Sequence, residues 1–248
     1  MFKTLFSLFI FLPFVASAQM DAKDIVRKAD EKFRGNTNTA EMKMTIVRPK
    51  WTREISIKSW AKGEDYALMY ITAPARDKGV IFLKRQKEIW NWQPSIDRMI
   101  KLPPSMMTQS WMGSDFKNDD LVRQSSVIDD YAHNLSGSEV IDGRDCYRIE
   151  MIPYESAAVV WGKVISWIDK KDYLQLKTEF YDEDNILINT MYGKNVKMLG
   201  NKLLPAVMEV IPADQPKQKT VIEYISLQFD VPLTEQFFSV QNAKSIKP

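Results

Sequence analysis

The chain of 248 residues carries a single cysteine and a single histidine. Cys146 has no second cysteine to pair with, so no internal disulfide can staple the fold, which must rest on its apolar core. With His133 alone, a metal cluster or a catalytic set built on several histidines is excluded by count. Glycine is also sparse, at nine residues, and neither a phosphate-cradling loop nor a dinucleotide fingerprint occurs. Charge of one sign is lacking too. Lys and Arg number 34 against 32 Asp and Glu, a formal +2, so no basic bias exists to recruit nucleic acid. Long hydrophobic runs are confined to one place. Leu5 to Val15 is about half the ~20 apolar residues needed to cross a bilayer. It follows Lys3 and precedes the small residues Ala16-Ser17-Ala18, which predicts a signal peptide over residues 1–18 and a mature start at Gln19. A lipid anchor would need a cysteine directly after the signal, and the only one is Cys146. The expectation is a periplasmic protein, soluble and not lipid-anchored.

What is present is apolar and β-patterned. Hydrophobic residues make up 45% of the chain, enough for one substantial core. Ile25, Val26, Ala29 and Phe33 recur at helical spacing behind Asp21, a fair N-cap, and ahead of Gly35, a fair C-terminal cap. From Thr39 the period changes to two. Ala40, Met42, Met44 and Ile46 alternate with polar residues, and Ile55 and Ile57 do the same. Further strands are predicted at 66–71, 80–83, 89–92, 139–141, 146–152, 164–168, 173–181, 186–196, 203–211 and 221–229. Asp142-Gly143 and Gly200-Asn201 mark tight hairpin turns. The pattern predicts a mainly β, up-and-down meander of about eleven antiparallel strands, closing into a barrel or half-barrel. No composition break marks a second domain, so residues 19–248 are expected to form one. Tyr66 to Ile71 is apolar on both faces, which suggests two buried surfaces.

One stretch, 103–124, breaks the β rhythm. Met106, Met107, Trp111, Met112 and Phe116 lie there on an irregular, part-helical segment of the kind that forms lids. Their apolar bodies have no strand alternation to explain them, and Gly113 would let the backbone turn. Within this stretch Asp115, Asp119 and Asp120 are the best carboxylate cluster. A hard cation could use them, but capping by Asp115 and Asn118 accounts better for the spacing. Neither His133 nor Cys146 has catalytic company, so no catalytic residue, no metal site and no cofactor is predicted.

Trp111 to Leu121 (WMGSDFKNDDL) resembles a signature of the outer membrane lipoprotein-sorting protein group of the LolA/LolB-like superfamily. Val159 to Ile188 resembles a second signature, and Asp230 to Val240 matches the usual end. The resemblance implies a half-open barrel of about eleven antiparallel strands, with helices plugging its concave side and acyl chains carried in its cavity. On that reading the lipid-binding residues would be Met42, Met44, Ile55, Ile57, Met69, Trp90 and Trp92 from the strands. Met106, Met107, Trp111, Met112 and Phe116 would join them from the lid. Arg53 is a candidate lid-locking residue by strand position. The implied partners are lipid or lipoprotein acyl chains, an inner-membrane transporter and a transiently contacted membrane. A binding or sensor module regulating a protein partner is the competing function, and an enzyme grafted on the fold comes third.

Overall fold

The computed structural model describes residues 21–122 and 126–246. The predicted signal peptide and mature start, and residues 123 and 124 of the lid run, lie outside them. No helix among the described residues is long and apolar enough to cross a membrane.

Helix α1 (Ala22–Arg34) forms as its sequence dictates. The Asp21 carboxylate accepts from the Lys23 N–H, and Gly35, at φ 65°, donates back to the Glu31 carbonyl. Arg27 pairs with Asp24 on the exposed side, and Arg34 with Asp30 in a largely buried pair. Ala22, Ile25, Val26 and Ala29 are buried on the inner side.

The rest is one sheet. Among the described residues its strands are β1 (Thr37–Arg48), β2 (Trp51–Lys62), β3 (Tyr66–Ala73), β4 (Ile81–Arg85), β5 (Glu88–Gln93), β6 (Arg98–Lys101), β7 (Tyr131–Ile141), β8 (Arg144–Pro153), β9 (Lys163–Asp169), β10 (Gln175–Tyr181), β11 (Leu187–Leu199), β12 (Lys202–Pro212) and β13 (Lys219–Phe229). Every pairing is antiparallel, in the order 6-5-4-3-2-1-13-12-11-10-9-8-7. Both turns expected at Asp142-Gly143 and Gly200-Asn201 have two consecutive residues at positive φ, the geometry that matches strand twist.

The sheet is open: β6 and β7 are its edges and do not pair. Thirteen strands stand where about eleven were expected: Arg98–Lys101 was not legible as a strand, and the 139–141 run proves to be the end of a longer strand from Tyr131. Two meanders, β1–β6 and β7–β13, meet where the first strand pairs with the last, Met44 opposite Ile222 and Ile46 opposite Thr220. The chain between the edges, residues 102–130, must therefore travel from one margin of the sheet to the other.

Each face of the β1–β6 arm is covered by a different segment. Leu68 and Tyr70 pack with Phe238 and Ala243, from a C-terminal cover ending in helix α3 (Val240–Ser245). Met69 and Ile71, pointing the other way, pack with the lid. The two buried surfaces expected for Tyr66 to Ile71 are these. On the β7–β9 arm, α1 covers Tyr131, Ile149, Met151, Val164 and Ile168.

Candidate functional site: a lid seated in the concave face

The lid is held together by its own backbone. The Trp111 N–H donates to the Phe116 carbonyl at 2.8 Å, and the Asn118 N–H to the Gln109 carbonyl at 2.8 Å. Met112 (φ 51°) and Gly113 (φ 78°) reverse the chain between those bonds. For Met112 this left-handed conformation costs energy that glycine would not incur. A short helix α2 (Asn118–Val122) follows.

This loop drives its apolar side chains into the sheet. Trp111 is 0% exposed, and its ring lies 5.1 Å from that of Phe82. Met107 and Phe116 are buried beside it, against Met44, Ile46, Ile55, Ile57, Ile71, Val210 and Ile222. The structure brings ten of the twelve sequence-predicted site residues into this cluster: Met42, Met44, Ile55, Ile57, Met69, Met106, Met107, Trp111, Met112 and Phe116. It does not bring Trp90 and Trp92 there. They alternate with Ile89 and Asn91 on β5 and pack with Phe238 under the C-terminal cover, on the opposite face.

Polar latches hold the lid at its turn. Arg48, the last residue of β1, grips Asp115 in a two-pronged ion pair at 2.9 and 3.0 Å and also donates to the Gly113 carbonyl at 3.1 Å. Both side chains are largely buried, which makes the pair costly to break from one side. Thr220 of β13 donates to the Asp115 carboxylate at 2.7 Å, and Asn189 of β11 to its carbonyl at 3.2 Å. Arg53, the candidate picked by strand position, donates to the Met112 carbonyl at 3.1 Å while pairing with Asp77 at 2.6 Å. Asp115 therefore precedes no helical turn that it could cap. Asp115 is the lid's ion-pair partner, and the Asn118 amide donates to the Met106 carbonyl.

Two features weaken this closure. The Trp111 indole N–H is buried with no hydrogen-bond partner among the described residues. An unmade bond of that kind costs roughly 1–3 kcal/mol. At the far end Asp120 accepts from the Trp161 indole N–H at 2.9 Å and from the Lys117 N–H at 2.7 Å. Burial raises its acid to about 6, with neighbouring Asp119 adding to the rise against those two bonds and the charge of Lys117.

The remaining candidates have ordinary surroundings. Cys146 is fully buried, and its thiol is pushed up to about 11 by that burial, so it packs as a small apolar group. The His133 ring nitrogen Nε2 bonds the Val127 carbonyl at 2.8 Å, and burial lowers its pKa. An open cleft of about 600 Å³ lies beside the end of α1 and the β2–β3 turn. Its walls include Glu31, Arg34, Lys62, Asp65, Lys202 and Glu235, charges that suit no acyl chain. Among the described residues no group of three or more His, Cys, Asp or Glu could hold a metal ion.

Sequence reasoning missed Arg48 and Thr220. Asp115 carried the available signal, as the only carboxylate between the apolar anchors Met106 and Phe116.

An open antiparallel sheet with one face plugged by a latched apolar loop defines the class of fold, and the comparisons agree. Residues 63–245 match the model of a family described as "Uncharacterized protein", and the chain belongs to that family. No curated protein matches the chain. Three solved structures share its fold. One is a domain from Vibrio parahaemolyticus described as an outer membrane lipoprotein-sorting protein, at TM-score 0.80 and 23% identity, covering 90% of this chain and 98% of that one. A DUF1329 family protein from Desulfovibrio piger matches at TM-score 0.80 and 24% identity, over 89% and 96%. A LolA superfamily protein from Nitrosomonas europaea matches at TM-score 0.78 and 23% identity, over 90% and 99%. The fold is that of the lipoprotein-sorting group and the LolA superfamily, as the sequence signatures implied.

Proposed function

We propose that the protein is a periplasmic carrier that binds acyl chains of a lipid or lipoprotein in the space its lid now fills. The observation that supports this reading most is the lid itself. Met107, Trp111 and Phe116 occupy one face of the sheet as apolar groups from a single loop, while the polar latches sit at the lid's turn. An acyl chain offers the same kind of surface, at about 0.8 kcal/mol per buried methylene. Exchange of lid for cargo then swaps one apolar contact for another, and the methionines supply walls that adapt to either. A transporter would fill the site, and a brief membrane contact would load or empty it. The chemistry is binding and release.

The test is titration with a fluorescent acyl probe, on the wild type and on Asp115→Ala. Removing the latch lowers the cost of displacing the lid, so the variant is expected to bind about tenfold more tightly, as a 1.4 kcal/mol latch would give. No probe binding by either protein, with a stoichiometric protein partner recovered instead, would overturn the carrier reading in favour of a sensor module.

A further inference from the structure

The strand order fixes which loops share a rim. The β1–β2 turn stands between the β3–β4 turn on one side and the β12–β13 loop on the other, with the β5–β6 connection beyond the first. This is also the rim of the lid latch, since Arg48 ends β1 and Arg53 lies near the start of β2.

Two properties coincide here. Trp51, at the start of β2, is 50% exposed, and Ile96 in the β5–β6 connection is 54% exposed. Around them stand Lys50, Arg76, Lys78, Arg98 and Lys217, all on turns or strand ends of the same rim. Asp77, Asp97 and Asp214 stand on the same rim, and Arg53 and Arg76 hold the first of them, so the basic groups outnumber the acidic ones. The Arg48 guanidinium lies 5.8 Å from the centre of the Trp51 ring, so the hairpin joins an exposed indole to the latch. Indoles settle at the headgroup level of bilayers, and lysines and arginines near them are drawn to anionic headgroups.

We propose that the β1–β2 hairpin and its neighbouring turns form a docking surface for an anionic bilayer, with Trp51 seated among the headgroups and the basic side chains around it. The inference rests on the carrier reading and deepens it. Docking on this rim presents the lid's turn to the membrane from which cargo comes or to which it goes.

Co-sedimentation with vesicles of phosphatidylethanolamine and phosphatidylglycerol, against vesicles of phosphatidylcholine alone, tests it. The wild type should bind the anionic vesicles, and binding should fade as salt is raised. Trp51→Ala and Lys50→Glu should each cost about fivefold or more, with unchanged melting. Met198→Ala, at a residue 62% exposed near the opposite rim, should cost nothing. Equal losses in Trp51→Ala and Met198→Ala, or equal binding to both vesicle types, would overturn the proposal. Lys50→Glu keeps the test decisive if Trp51→Ala disturbs the hairpin. Acyl-probe binding without vesicle binding would sink this inference and leave the carrier reading standing. Vesicle binding without probe binding would do the reverse.

Discussion

The concave face has two covers, and they are built on opposite principles. Helix α1 is regular: it satisfies its own backbone, carries its own caps and ion pairs, and lays one apolar stripe on β7–β9. The lid is irregular. It has short helical turns, two consecutive left-handed residues and an orphan indole N–H, and it holds by side chains pushed into the sheet and by two arginines. A cover of the first kind is stable wherever its stripe is buried. A cover of the second kind has little structure to lose on leaving, so it belongs at the low-stability end of the molecule. The comparison predicts a scaffold role for one and motion for the other.

The largest expected effect contrasts the two directly. Trp111→Ala should cost about 3–5 kcal/mol and Ile25→Ala about 2–5 kcal/mol, on the scale of large-to-small core changes. The first loss should fall on the lid alone, read as lost amide protection at residues 106–118 while α1 and the sheet keep theirs. The second should lower the global melting temperature. Uniform loss of protection in Trp111→Ala would make the lid ordinary core and erase the distinction.

Next comes the latch. Arg48→Ala leaves the buried Asp115 carboxylate without its cation, which should cost about 3 kcal/mol. Adding Asp115→Ala should recover part of that. A double-mutant cycle on lid protection measures the coupling, and additive losses would show that the pair does not act as a latch.

The smallest effect is a pH dependence. Asp120 has its folded-state acid raised above the ordinary 3.8 to about 6, so the folded protein holds this proton more tightly than the unfolded chain. Its contribution is therefore present at low pH and lost as pH rises through about 6. Asp120→Asn should flatten the melting-against-pH curve between about 4 and 6, where the two states differ in protonation. An unchanged slope would assign the dependence to another group.

Much of this architecture was legible because alternation is a local signal. Met42, Met44, Ile55 and Ile57 announced their strands and their common face by period alone. Edge strands gave no such signal. β6 is short and mostly exposed, and β7 alternates only from Tyr131 to Leu135 before it faces solvent, with the polar His133 at an inward position. Trp90 and Trp92 were assigned to the site by chemistry, yet two apolar covers on one arm leave chemistry silent about which face a tryptophan joins. Arg48 and Asp115 stand 67 residues apart, and nothing in the sequence of either names the other. The pairing of β1 with β13 is more remote still, and it decides the topology.

That pairing has a consequence for how the molecule is held in one piece. The chain runs outward along one arm, crosses through the lid, and returns inward along the other, so the arms are tied covalently through the lid and by the β1–β13 ladder from Asn38 to Val47, while α1 packs across β7–β9 and the C-terminal cover across β3 and β4. A protease that cut the lid would leave an amino-terminal piece with six strands and a carboxy-terminal piece with seven, still zipped along their inner strands. The molecule is in this sense a complementing pair of fragments joined by one strap, and the strap is the part that plugs the face proposed to take cargo.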